Sequence, residues 1–378
     1  MILFLMKNIL FLSSWFPSKV HSTLGNFVKY HALAASKFNK IYVLYIVADD
    51  SVNGYQIDSF KENNLSITIV YFRRGFIKYF NYLIAFRKGL KFLITKKFLK
   101  IDLVHMNIMH PGIWQALYLK FFYKLPYIVS ENWHGFQDLS KYQLSYLQTK
   151  LIEFGFKKSS MICPVSNQLK KCMVNAGFKA NFSIIPNVVN TNVFNFQNDK
   201  PATKFFTFLH ISTLDDSIKN VSGIIDAFEK LEQPNLILKI VGDGPIDWIL
   251  NRVKTLKSSN TIIVNKEMKH QDVATEMQLA DVFVLFSNIE NLPLVLIESI
   301  SCGTPFISSN VGGVAELHNN ELGVLVEAGN VEELTIEMNN IIKNLNKYNP
   351  QKIRQFAIDQ YSDEVVGKKF NDLYIQLC

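Results

Sequence analysis

Residues 280–316 read ADVFVLFSNIENLPLVLIESISCGTPFISSNVGGVAE, and their pattern decides the fold. Val282–Phe286 is a continuous apolar run, as expected of a parallel strand buried on both faces. A polar break, Ser287–Asn291, follows. Pro293–Ile300 then starts a helix that stops at Cys302–Gly303, since glycine suits a helix end. Pro305–Ser308 is a second short strand, and Gly312–Gly313 turns the chain into another helix. Strand, loop and helix, repeated, make half of a doubly wound α/β sheet.

Two carboxylates stand in this unit at a fixed spacing. Glu290 lies in the loop at the carboxyl end of the first strand, where open α/β sheets bind ligands. Glu298 lies about two turns into the helix, so the pair could reach two parts of one elongated ligand. The plainer alternative is a loop acid and an exposed helix acid. Glu298, however, is embedded in LPLVLIESIS. An ionised side chain in so apolar a helix must be paired or face a ligand cavity.

Glu290–Glu298, ENLPLVLIE, resembles the E-x7-E element of retaining, nucleotide-sugar-dependent glycosyltransferases of the family 4 type. The CGTPFISSNVGGVAE that follows resembles the family's continuation. The resemblance implies two Rossmann-like doubly wound α/β domains facing across a cleft, the GT-B arrangement. It also implies that Glu290 contacts the donor sugar and Glu298 the nucleotide ribose.

Working outward, Phe205–Ile211 is the strand that opens the second domain. Lys219 stands beside a helix start, where a cation and a helix dipole together neutralise a diphosphate. A surface lysine is the alternative. The family carries an arginine and a lysine here; this chain keeps Lys219 and has Thr213 at the arginine position. Leu236–Val241 ends in Gly242-Asp243-Gly244-Pro245, which resembles the family's glycine turn at the nucleotide. Thr261–Val264 is a strand, and Asp272–Leu279 is a helix. Val331–Leu345, Gln351–Ala357 and Tyr361–Leu377 are the last helices.

The first half opens with a strand, Asn8–Ser13, and a helix over Gly25–Ala35. Gly25 allows a phosphate to approach backbone N–H groups, and resembles the glycine bordering the family's donor diphosphate. Strands follow at Ile41–Val47, Leu103–Met106, Tyr127–Ser130 and Met161–Val165, with helices at Pro111–Phe122 and Ser166–Ala176. Glu131, Asn132 and His134 form a polar cluster at a strand's carboxyl end, a candidate acceptor site. The family places a histidine after this strand; here that position is Asn132, with His134 two residues on. Gln197–Thr203 reads as the linker, giving domains 1–196 and 197–350. Helices in 351–378 return to the first domain.

The chain of 378 residues is long enough for two cores. Its net charge of +8 conceals an asymmetry. Residues 1–190 hold 24 Lys/Arg against 8 Asp/Glu, whereas 191–378 hold 16 against 24. The first half therefore faces something anionic. Ten of its cations fall within 61–100, beside a single acid and interleaved with aromatic residues. Near-helical spacing there suits an amphipathic surface helix, on a membrane or simply in water. A nucleic-acid surface is not expected, because no binding motif accompanies the charge. Met1–Leu12 is broken by Lys7–Asn8 and reads as the approach to the first strand, not as a signal peptide. The four cysteines lack metal-ligand spacing and suit buried thiols in a reducing compartment.

These readings describe an enzyme that moves a sugar from a nucleoside-diphosphate sugar to a glycan or lipid-linked acceptor. Retention, cell-surface polysaccharide synthesis, and a cytoplasmic, peripheral place on the inner membrane face complete the expectation. Catalysis is assigned to Glu290 and Lys219. Donor binding is assigned to Gly25, Lys219, Gly242, Glu290, Asn291, Leu292, Leu294 and Glu298, and the acceptor side to Asn132 and His134. No Asp-x-Asp occurs, so no metal and no cofactor are expected, and protein dipoles hold the diphosphate. Two alternatives remain at this point: a catalytically silent nucleotide-sugar-binding or scaffold protein at the membrane, and a nucleotide-sugar epimerase.

Overall fold

The structure is a computed structural model that describes residues 6–22, 24–75, 77–96, 100–137, 139, 144–197, 200, 203–256 and 260–378. Lys97 and Phe98 of the basic stretch, Phe76, the side chains of Lys78 and Lys96, and most of the 197–203 linker lie outside this description. The chain forms two compact units, Met1–Val188 with Asp363–Cys378, and Val189–Ser362. Each holds its own parallel sheet, as the two-Rossmann reading requires.

In the first unit the elements run β1 (Asn8–Ser13), α1 (Asn26–Ser36), β2 (Lys40–Ala48), β3 (Tyr55–Glu62) and β4 (Leu65–Phe72). They continue with α2 (Lys78–Lys91), β5 (Leu103–Asn107), α3 (Ile113–Tyr123), β6 (Tyr127–Glu131), α4 (Tyr146–Lys158), β7 (Met161–Pro164) and α5 (Asn167–Asn175). The strand order is β3-β4-β2-β1-β5-β6-β7, parallel except where β3 pairs antiparallel with β4. The order reverses between β1 and β5, so the exits of these strands, Ser14 and Ile108–His110, flank the place where such sheets bind ligands.

One expectation needs correction here. The 61–100 stretch is not one amphipathic helix. Its first residues belong to the β3–β4 hairpin, which turns at Asn63 with φ +52°. Leu65–Phe72, LSITIVYF, is rich in β-branched and aromatic residues that favour a pleated surface, and it is buried along nearly its whole length. The helix of this stretch, α2, begins only at Lys78 and passes into a π-helical turn, Phe92–Lys96.

The second unit runs β8 (Phe206–Ser212), α6 (Asp216–Lys219), α7 (Val221–Glu229), β9 (Leu236–Gly242), α8 (Asp247–Val253), β10 (Thr261–Lys266) and α9 (His270–Leu279). It continues with β11 (Val282–Leu285), α10 (Leu294–Ser301), β12 (Phe306–Ser309), α11 (Val314–Leu317), β13 (Gly323–Val326), α12 (Val331–Asn344) and α13 (Pro350–Tyr361). The order β10-β9-β8-β11-β12-β13 is that of a dinucleotide-binding sheet, with the reversal between β8 and β11. The apolar strands and the inner faces of α7 and α12 close one core around Phe208, Ile224, Val284 and Met338.

The last helix, α14 (Asp363–Leu377), belongs to the first unit and packs on α1. A Cβ on Gly367 would collide with the Ala34 carbonyl, so glycine lets the two helices approach closely. His105 ties the sheet to α14: Nδ1 bonds Tyr374 Oη at 2.6 Å and Nε2 bonds Ser130 Oγ at 2.7 Å. The sequence reading gave all of 351–378 to this return, but α13 stays in the second unit. Arg354 holds it there by donating to the carbonyls of Thr191, Phe194 and Ser301. The same bonds draw residues 189–196 into that unit, ahead of the boundary read at 196.

Candidate functional site

The reversal point of the second sheet gathers most of the residues singled out. β8 ends at Ser212, and Leu214 turns the chain at φ +57° into the single-turn α6. Asp215 caps α6 through Ser217 N–H, and Asp216 accepts from both the N–H and the hydroxyl of Ser222. Asn220, at φ +47°, then caps α7 by accepting from Gly223 N–H. These short-range bonds fix the direction in which Lys219 leaves the chain.

Lys219 Nζ donates to Glu290 Oε1 at 2.6 Å. Ser287 Oγ donates to the same oxygen at 2.8 Å. Neighbouring bonds stitch the two loops together: Asn288 N–H reaches Ile218 O at 2.8 Å, and Asn288 Nδ2 reaches Ser217 O at 3.1 Å. Glu290 is 8% exposed, so both charges of the pair sit in a partly dry setting where their attraction is strong. His210, buried in β8, bonds Val284 O and Ser212 Oγ. Burial lowers its pKa to about 4, which keeps this neighbour neutral and leaves the positive charge to Lys219.

Beyond Glu290, Asn291 and Leu292 are buried, and the Asn291 carbonyl accepts from Gly313 N–H at 2.6 Å. Pro293 caps α10, whose first residue is Leu294 and whose N-terminus has no side-chain cap. Its first backbone N–H groups therefore form the positive end of the helix dipole. Glu298 is 3% exposed, and among the described residues its Oε1 has no hydrogen-bond partner. Burial raises its pKa to about 8. The carboxyl is thus held as a neutral acid at pH 7, an outcome the sequence reading did not weigh. Gly242 ends β9, where a Cβ would strike the Ser212 carbonyl, so glycine is needed for the two strand exits to lie side by side.

The remaining candidates lie in the first unit. Gly25 caps α1 at φ +79°, and a Cβ there would collide with the backbone of Trp15–Phe16. Glu131 is fully buried and accepts from the N–H groups of Met109, Asn132 and Trp133 at 2.8–2.9 Å. Burial nevertheless pushes its pKa up to about 7. It organises the β5 and β6 exits and offers nothing to solvent. Asn132 Nδ2 reaches Asn187 Oδ1 at 3.5 Å, and His134, half-buried, starts a short 3₁₀ turn.

Sequence reasoning missed Ser287 and Asn288 individually, although both fall in the polar break it marked. It also missed a cavity of about 500 Å³ in the first unit, whose walls come from elements distant in sequence.

Comparison with known proteins gives a consistent result. Residues 192–357 match the family model described as Glycosyl transferases group 1. Residues 43–193 match the model described as Glycosyltransferase Family 4. The N-acetyl-alpha-D-glucosaminyl L-malate synthase of Bacillus anthracis is 26% identical over 244 residues, covering 59% of this chain and 61% of the relative. One component of the phosphatidylinositol N-acetylglucosaminyltransferase of Arabidopsis thaliana is 23% identical over 246 residues, covering 64% of this chain and 54% of the relative. The chain thus spans about six tenths or less of these relatives' lengths. A solved structure of Anabaena HepE in complex with UDP-glucose superposes with a TM-score of 0.74 at 17% identity, covering 98% of this chain and 100% of that one. This likeness shows the fold.

Proposed function

We propose, from the premise that this chain is a glycosyltransferase with two Rossmann-like domains of the family 4 type, that it takes its sugar from a nucleoside-diphosphate sugar. The sugar passes with retention to a glycan or lipid-linked acceptor, in cell-surface polysaccharide or glycolipid synthesis. The carrying observation is the Lys219–Glu290 pair, 2.6 Å apart at the reversal point of the second sheet. A diphosphate in that position takes over the Lys219 ammonium, and Glu290 is released to accept from sugar hydroxyls. As the bond from the anomeric carbon to the diphosphate breaks, charge grows on the leaving oxygen. Lys219 and the α10 N-terminus stabilise that charge. The acceptor hydroxyl forms the new bond and its proton passes to the leaving phosphate.

Glu298, as a neutral acid, can donate to or accept from a ribose hydroxyl without the cost of burying a charge. Donor binding also draws on backbone N–H groups at Leu292 and Leu294, on Asn291 and on the glycine exit at Gly242; for Gly25, in the first unit, the donor assignment rests on the family resemblance alone. Asn132 and His134 are assigned to the acceptor side. The neighbour solved with UDP-glucose supports a nucleotide-sugar donor. The relative named for transfer to phosphatidylinositol supports a lipid-linked acceptor. No metal or cofactor takes part in this proposal. The enzyme works in the cytoplasm, resting on the inner face of an anionic membrane. Among the described residues no helix is long and apolar enough to cross a membrane.

The test is a thermal-shift screen of UDP, GDP, ADP and their sugars, because a ligand of the folded state raises apparent stability. One base should stabilise wild type, and that gain should shrink in Glu298→Ala. No stabilisation by any of them would refute the reading.

A further inference from the structure

The cavity in the first unit encloses about 500 Å³ at the carboxyl ends of four neighbouring strands. Its floor is made by Ser14 after β1, Ile46 and Ala48 on β2, Phe72 at the end of β4, and His110 after β5. This is the edge on which open α/β sheets carry ligands, and the volume lies within the ~300–1,000 Å³ of small-molecule sites. The lining is nearly all carbon. Tyr82 and Trp114 form one wall, with ring centroids 5.7 Å apart. Gln115 Nε2 holds the Tyr82 hydroxyl at 3.0 Å, and Phe86 packs edge-on to Trp114 at 5.1 Å. The wall is therefore braced from behind, and the cavity is preformed.

The mouth differs from the interior. Leu151 of α4 and Tyr79 of α2 stand on its rim, and Tyr79 is 80% exposed. Among the described residues Arg74 is the one cation in the lining, and no acid lines it. The backbone of Arg74 is tied to Asp50 and Asn81, while its side chain has no ion-pair partner among the described residues. A buried apolar slot with one unpaired guanidinium at its mouth suits an alkyl chain that carries an anionic head group.

We infer that this cavity takes the hydrocarbon chain of the acceptor, with Arg74 on a phosphate at the head of that chain. The inference deepens the acceptor assignment proposed above and rests on it. It makes the acceptor a phosphate-bearing amphiphile rather than a free sugar.

Trp114 in the wall provides the readout. A bromine on 12-bromododecyl phosphate, used below its micelle concentration and without vesicles, quenches tryptophan on contact. Wild type should show saturable quenching. Trp114→Phe should lose most of the quenched amplitude. Ala48→Phe, which fills the floor, should raise the apparent Kd by about tenfold or more. Leu151→Phe at the exposed rim narrows the same mouth without adding a tryptophan if Ala48→Phe fails to fold. Arg74→Glu should weaken the phosphate probe about tenfold and leave 12-bromododecanol unchanged.

Unsaturable quenching, or quenching indifferent to both filling variants, overturns the site. Equal loss of phosphate and alcohol probes in Arg74→Glu overturns the head-group assignment. Full displacement of the probe by phosphatidylglycerol vesicles overturns the acceptor as occupant in favour of bulk lipid. Stabilisation by nucleotides is read separately in the second unit. Its absence beside intact quenching would remove the transferase reading and leave the cavity standing.

Discussion

Lys219 and Glu290 stand 71 residues apart in sequence and 2.6 Å apart in space, and Ser287 shares the same carboxylate oxygen. A pair so poor in solvent is costly to break from one side, since the survivor keeps its desolvation cost. Lys219→Ala should lower kcat on the order of a hundredfold with a smaller change in KM, because charge on the leaving diphosphate grows toward the transition state. It should also cost roughly 1–3 kcal/mol of stability through the orphaned Glu290. Steady-state kinetics with the donor from the nucleotide screen separates the cases. A change in KM alone would make Lys219 a ground-state contact.

Glu298 makes stability depend on pH. Its folded pKa is raised to about 8 by burial, well above the ordinary carboxylate range. Below pH 4.5 both states are protonated and the group contributes no difference. Between pH 4.5 and 8 the unfolded chain releases the proton that the folded chain retains. Folding stability therefore falls as pH rises, by roughly 1.4 kcal/mol per unit. Glu298→Gln cannot ionise, so its stability relative to wild type should climb from pH 5 to pH 8. Urea midpoints at four pH values check this. Parallel curves would show that the carboxyl is already ionised or solvated.

The residues differ in how much they disclosed beforehand. β1 was legible at its observed bounds, Asn8–Ser13, and α10 within a residue at each end, because apolar runs and glycine stops are local signals. The burial of Glu298 was legible from its apolar flanks; its neutral state was not, since that depends on which atoms surround Oε1. The β3–β4 hairpin was missed because residues 61–72 were read together with the basic, aromatic segment that follows, whose near-helical spacing begins only at Phe72. α4 begins in a full capping box, Ser145 with Gln148, that the reading passed over. The Lys219–Glu290 contact and the apolar cavity join residues from separate elements, and only the folded chain brings these together.

A metal-free reaction follows from assigning charge stabilisation to Lys219 and helix α10. Turnover should persist in millimolar EDTA, and added Mg²⁺ or Mn²⁺ should change it by about twofold or less. Activity lost to EDTA and restored by either ion would replace Lys219 with a metal as the main counter-charge.

The proposed membrane docking is testable on residues both inside and outside the basic stretch read from sequence. α3 ends in Phe121, Phe122 and Tyr123, all exposed, and Phe121 stacks on Phe154 of α4 with centroids 6.0 Å apart. Tyr146 and Leu147 at the start of α4 are 74% and 78% exposed. Lys120, Lys124, Lys150, Lys157 and Lys158 lie along the same two helices or beside them. On α2, Arg87, Lys88 and Lys91 line a second cavity with Tyr118 and Tyr123. Aromatic side chains that enter the head-group layer, ringed by cations, are the pattern of an interfacial surface. Each engaged cation contributes about 1 kcal/mol on an anionic bilayer and is screened by salt. In liposome co-sedimentation the protein should pellet with phosphatidylglycerol vesicles at low salt and not with phosphatidylcholine. Phe121→Ala with Phe122→Ala should weaken binding about tenfold, and the loss should persist at high salt, where the apolar contribution alone remains. Arg87→Glu with Lys91→Glu should instead weaken binding only at low salt. Equal recovery in the supernatant from every vesicle would leave these helices as an ordinary solvated face.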